Sequence, residues 1–74
     1  MDTNEAQKLL AQSQQQRKLA TVTYPNEKFV KGWVSRLNPK TRPYEVEMVV
    51  NNNRESHMVD FDKLIGVRIT DEAY

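Results

Sequence analysis

Ala20 to Leu37, ATVTYPNEKFVKGWVSRL, constrains the fold of this chain more than any other stretch. Ala20, Val22 and Tyr24 alternate with Thr21 and Thr23, the two-residue period of a strand whose faces differ in polarity. Pro25-Asn26-Glu27-Lys28 interrupts it: proline is pre-set for the first corner of a turn, and asparagine suits the second. Phe29 to Leu37 resumes as a strand, with Phe29, Lys31 and Trp33 on one parity and Val30, Gly32 and Val34 on the other. A glycine inside such a run marks a bulge or a sharp bend. A bend at Gly32 lets both parities contribute to the core, and Phe29 and Trp33 are expected there. An early hairpin of this kind commits a short chain to a sheet.

The rest of the chain extends that sheet. Residues 3–18 have helical spacing, with Ala6, Leu9, Leu10 and Ser13 near one face. Thr3 or Asn4 is placed to cap its start, and Asn4 with Gln7 has capping-box spacing. The apolar stripe fades into Gln12, Gln14, Gln15 and Gln16, which read as a solvated face. After a loop at 38–43, Tyr44, Val46, Met48 and Val50 alternate with Glu45, Glu47 and Val49, the clearest strand of all. Asn51-Asn52-Asn53 reads as a turn, because asparagine tolerates the left-handed region. A strand over 56–60 buries either His57 and Val59 or Met58. Phe61 to Leu64 has the length of one helical turn capped by Asp60, and a last strand covers 65–69. The expected organisation is a helix or arm at 1–18, a β domain at 19–70 and a frayed tail at 71–74.

Seventy-four residues make one small domain, and a chain this short buries only about 60% of the surface it exposes when unfolded. It has no cysteine, so neither a disulfide framework nor a cysteine-ligated zinc site is open to it. No apolar run approaches the roughly 18 residues that span a bilayer, and MDTNEAQK is unlike a secretory leader. A cytoplasmic protein without membrane contact is the expectation. The fold that follows is α+β and mostly β: an N-terminal helix, then a five-stranded, strongly bent antiparallel sheet on the Sm-like barrel plan. Closure would remove exposed edges, which a chain with few apolar residues needs.

Charge is uneven along the chain. Residues 28–42 carry Lys28, Lys31, Arg36, Lys40 and Arg42 with no acid. Residues 43–74 carry seven acids against three basic residues. Interleaving of the basic run with Phe29, Trp33 and Tyr44 is the suggestive feature. Lys and Arg neutralise phosphates, and unpaired bases stack on aromatic rings. The candidate binding residues are therefore Lys31, Trp33, Arg36, Lys40, Arg42 and Tyr44. Their partner is single-stranded nucleic acid or an acidic protein surface, and the same block can serve only to keep an edge soluble.

Catalysis finds little support. His57 is the only histidine, and a nucleophile needs both a base and a group that orients it. Asp60 and Asp62 are two residues apart, a spacing that suits paired carboxylates, but a turn cap accounts for Asp60 without a metal. No cofactor or metal is expected, and a non-enzymatic binding module is.

Three segments, VTY at 22–24, GWVSRLNP at 32–39 and VDFDKLIGVRI at 59–69, resemble the YolD-like family of small bacterial and phage proteins. The resemblance covers about Thr21 to Ile69; where members often have Asp after Leu37, this chain has Asn38. It implies an accessory protein of DNA damage tolerance, since members are commonly encoded beside Y-family lesion-bypass polymerases. Such a polymerase is the partner implied. The alternative is an adaptor or inhibitor that docks on a polymerase or another host factor through a sheet edge or charged face. An oligomeric ring would need strand pairing between subunits.

Overall fold

Alternating β-branched residues from Lys18 onward make the sheet, and the 3.6-residue stripe before it makes the helix that covers one face. The computed structural model describes residues 1–74, as α1 (Thr3–Gln16), β1 (Lys18–Tyr24), β2 (Lys28–Asn38), β3 (Glu45–Val50), β4 (Glu55–Met58) and β5 (Gly66–Ala73). All pairings are antiparallel, in the order β4-β3-β2-β1-β5, so β4 and β5 are the two edges. The chain is an α+β protein, mostly β, as its periodicities predict. No helix is long and apolar enough to cross a membrane.

Helix α1 is capped by Asp2, whose carboxylate accepts from the Asn4 N–H (2.8 Å), rather than by Thr3 or Asn4. It stops at Gln16, two residues short of expectation. Arg17 takes the left-handed conformation (φ 56°) and reverses the chain, and Lys18 already pairs with Ala73 in the sheet. The buried side of α1 is Ala6, Gln7, Leu10 and Ser13, with Leu9 half-buried. Two polar members of that side are tied down. Ser13 Oγ donates to the Lys18 carbonyl (2.7 Å), and Gln7 Oε1 accepts from the Tyr44 N–H (2.6 Å). Both bonds lie where an unpaired group would cost about 1–3 kcal/mol.

The core joins Ala6 and Leu10 of the helix to Ala20, Val22, Val34, Val46 and Met48 of the sheet, with Phe61 and Leu64 closing one end. The inward set of β3 is the one its alternation predicts. Residues 61–63 form a hydrogen-bonded turn and not a helical one. The Asp60 carboxylate accepts from the Asp62 N–H, and its carbonyl accepts from the Lys63 N–H. Of the two readings of residues 56–60, the one that turns His57 and Val59 inward is found, though both are only half-buried, and Met58 is exposed.

Gly32 does not hold the bulge. It keeps regular register with Ala20 and Val50, and the register shift falls between Val34 and Arg36. That shift turns the inward parity from Val30, Gly32 and Val34 to Leu37. Ser35 Oγ pins the bulge by donating to both the Glu47 carbonyl and the Glu47 carboxylate (3.1 Å each). Gly32 instead allows close approach of β3, since a Cβ there would fall on the Val49 carbonyl oxygen.

Two further expectations fail. Phe29, 69% exposed, and Trp33, half-buried, both lie outside the core, because Val30 and not either of them shares parity with the buried Val34. The tail is not frayed: Thr70 to Ala73 extend β5, and Tyr74 donates its N–H to the Arg17 carbonyl (3.0 Å). Pairing with β1 past a bulge between Lys18 and Ala20 captures this segment. Ile65, expected to open the last strand, lies just before it and is exposed.

Candidate nucleic-acid interface

The six candidate residues separate into two groups on either side of the β2 bulge. Lys31 and Trp33 lie on the outward parity of its first half. Arg36 lies past the bulge, while Lys40, Arg42 and Tyr44 belong to the loop and the start of β3. Three residues of strand from Trp33 to Arg36 put about 10 Å between their nearest members, and the loop residues lie further on.

The Trp33 end is a built surface. Trp33 stacks on Tyr74 with ring centroids 5.2 Å apart and planes at 29°. Its indole N–H donates to Asn53 Oδ1 (2.8 Å). The Arg17 guanidinium lies 5.7 Å from the Tyr74 ring centroid, within cation–π range. The left-handed turn at Arg17 is what aims that side chain back over the strand end. Asn51, Asn52 and Asn53 all have positive φ and form the rim, so the residue type that reads as a turn also brings amide groups to the site. Together with Lys31 and Glu72 these residues line an open groove of about 680 Å³. Lys31 Nζ is paired with the Glu72 carboxylate at 2.7 Å, and both side chains are well exposed.

The other end differs in charge. Arg36 is paired with Glu45 (3.4 Å). Arg42 donates to the Pro39 and Thr41 carbonyls, and its guanidinium lies 5.7 Å from the Tyr44 ring centroid. Lys40 is exposed and has no ion partner. Tyr44, however, lines a shallow second groove of about 550 Å³ together with Glu45, Asp60 and Asp62. A polyanion at Tyr44 would meet three carboxylates, that of Glu45 already engaged by Arg36, with the Arg42 guanidinium beside the ring. At Trp33 it meets two cations and one carboxylate already engaged by Lys31.

Arg17 and Tyr74 are site residues that local periodicity misses. The signal for Tyr74 was only that a Tyr followed a segment read as a tail. Nothing in the local pattern places it against Trp33, which is 41 positions earlier. No three His, Cys, Asp or Glu side chains converge as a metal site would need.

A separate polar relay crosses the sheet. The Asp60 N–H donates to the Tyr24 hydroxyl (3.2 Å), which lies 2.6 Å from His57 Nε2. The relay is satisfied when the neutral ring carries its proton on Nδ1 and Nε2 accepts from Tyr24. Burial pushes the His57 pKa below its ordinary 6.5, with the nearby Asp60 charge acting weakly the other way. Burial likewise pushes the Tyr24 hydroxyl above its ordinary 10.0. For His57 the folded value lies below the unfolded one. As pH falls through 6.5 the unfolded chain takes up the proton first, and stability is lost down to the folded value. The single His57 NMR titration should have its midpoint below 6.5, and the urea midpoint should drop between about pH 7.5 and about pH 5.5. A His57 midpoint above that of a free histidine would contradict the relay.

The fold and the site define a small α+β protein with an aromatic and basic groove at one end of an open antiparallel sheet. Comparison of the chain with protein-family models, with curated proteins and with solved structures finds no match.

Proposed function

We propose that the protein is a non-enzymatic binding module for single-stranded nucleic acid, centred on the groove at Trp33. One observation carries this reading: the Trp33–Tyr74 stack, flanked by Arg17 and Lys31 and rimmed by asparagine amides. Stacked aromatic rings beside cations accept bases of any sequence, and amide groups can pair with base edges. The resemblance to the YolD-like family agrees with this role. What that resemblance implies is an accessory role beside a Y-family polymerase in DNA damage tolerance, in a bacterium or its phage. The order of one helix and then five strands also agrees with the Sm-like plan.

A second reading, docking on a polymerase or another protein, is favoured by the edges. Neither β4 nor β5 has a partner on its outer side, and Met58 is exposed on β4. An edge of this kind accepts an added strand.

Fluorescence anisotropy with labelled single-stranded and duplex DNA and RNA separates the two. With three or four phosphates of a single strand neutralised, affinity should fall about 18- to 50-fold between about 50 and 200 mM salt. An Arg17→Ala, Lys31→Ala variant should lose more affinity than an Arg36→Ala, Lys40→Ala, Arg42→Ala variant, because the latter end carries the carboxylates. Absence of binding at low salt would reject the nucleic-acid reading and leave the edge.

A further inference from the structure

The outward face of the sheet beside the groove has an organisation that core packing does not require. Along β2, Phe29, Lys31 and Trp33 share this face, since Val30, Gly32 and Val34 point inward. Across the sheet, Phe29 sits opposite Thr23 and Lys31 opposite Thr21. One strand further, Thr23 faces Gly66 and Thr21 faces Arg68. Thr23 is small and Gly66 has no side chain, so nothing on the neighbouring strands covers the Phe29 ring, which is 69% exposed. No acid occupies any of these register positions; only Glu72 reaches Lys31, from the far end of β5.

Resting on the nucleic-acid reading above, we propose that this face is a stacking platform with Phe29 as a second base-binding position. A single strand runs along β2 from Phe29, past Lys31, to the Trp33–Tyr74 stack. One base lies on the Phe29 ring and another at the Trp33–Tyr74 stack, where it displaces the Arg17 guanidinium from the ring of Tyr74, a residue 37% exposed. Lys31 and Arg68 meet the phosphates between them. Four residues of strand separate Phe29 from Trp33, about 13 Å. Sheets that stack two or three bases on aromatic side chains bind RNA in the same manner. The Lys31–Glu72 pair is no obstacle, because ion pairs this exposed are weak and exchange readily. Two rings with cations beside them and an uncovered surface match a ligand that alternates planar groups with negative charge.

The test uses the full chain and fluorescein-labelled oligo-dT and oligo-U of about 12 nucleotides. Phe29→Ala should weaken binding about 5- to 100-fold, the loss expected for one stacked base, and Phe29→Trp should retain it. Circular dichroism should be unchanged in both, because the ring is outside the core. Inorganic polyphosphate, which has charge but no bases, should compete for the sites of Phe29→Ala as well as for those of the wild type. Oligonucleotide binding that is equal in wild type and Phe29→Ala overturns the platform and leaves the groove at Trp33 standing. An equal loss of polyphosphate binding in Phe29→Ala also overturns it, since the ring would then act without a base. If vesicles of phosphatidylglycerol bind wild type but not Phe29→Ala, while oligonucleotides bind both, the face is a lipid contact. A wild-type protein that binds no oligonucleotide at low salt overturns the nucleic-acid reading itself.

Discussion

Gly32→Ala should lose about 3 kcal/mol or more of stability, a large part of what a chain of this length has. The added Cβ would fall on the Val49 carbonyl oxygen and within 3 Å of a Val50 methyl group. The first of these is backbone in the adjoining strand, so no rotamer change relieves the contact. The Gly32–Val50 pair must separate, which disturbs the β2–β3 ladder at the centre of the sheet. Overpacking usually costs about 1–3 kcal/mol when side chains can give way, and about 3 or more is expected here. A chain of this length has on the order of 4–11 kcal/mol in total. Gly66→Ala is the control. There the new atom meets only the Thr23 Cβ, at an ordinary 3.9 Å. Its reduction of unfolded-chain entropy makes it neutral or stabilising by less than about 1 kcal/mol. Urea melts of the two variants, followed by circular dichroism, provide the comparison. Similar midpoints for both would mean that β2 and β3 do not approach as closely as described.

Leu10→Ala should carry the second largest cost, about 3 kcal/mol. Leu10 is fully buried and is among the largest side chains in the core with no exposure. It belongs to the only helix, which packs on β1, β2 and β5. Truncation removes its transfer energy and leaves a cavity, which together cost about 2–5 kcal/mol. The melting temperature should fall by roughly 10–20 °C, given about 4–8 °C per kcal/mol for a domain of this size. The urea slope should stay unchanged if the helix remains docked. A lower slope with little change in midpoint would mean that α1 leaves the sheet at small cost, as a loosely held arm would.

These two residues mark how far local pattern reached. Leu10 is legible because a helical stripe has one apolar side, and the helix had to place it on something. Gly32 is legible as a special position, but its reason is not. A glycine in a strand permits a bulge, a bend or a close approach, and only the position of Val49 selects among them. The bulge went to Ser35, a residue whose type does not announce it, because its hydroxyl finds two acceptors on Glu47.

For the site, Lys31 and Trp33 were legible from the basic and aromatic interleaving. Arg36 and Tyr44 share that composition but meet carboxylates, Arg36 that of Glu45 and Tyr44 those of Glu45, Asp60 and Asp62, which come together only through the fold, while Arg42 turns back on its own loop. Arg17 and Tyr74 join Trp33 from the two ends of the chain, and no local window contains both.

The sequence by itself determined the segments of the first three strands, the turns at 25–27 and 51–53 and the inward set of β3. Each depends on alternation or on φ preferences that act within a few residues. Only the tertiary structure decided that Phe29 faces outward and that Tyr74 lies against Trp33. Where both sets of a strand contain apolar residues, as in the first half of β2, alternation does not say which set is covered. That is settled by where the helix docks and where the bulge shifts parity. The segment from Thr70 to Tyr74 has few apolar residues of its own, and it becomes ordered because β1 offers unpaired backbone groups at the other end of the chain.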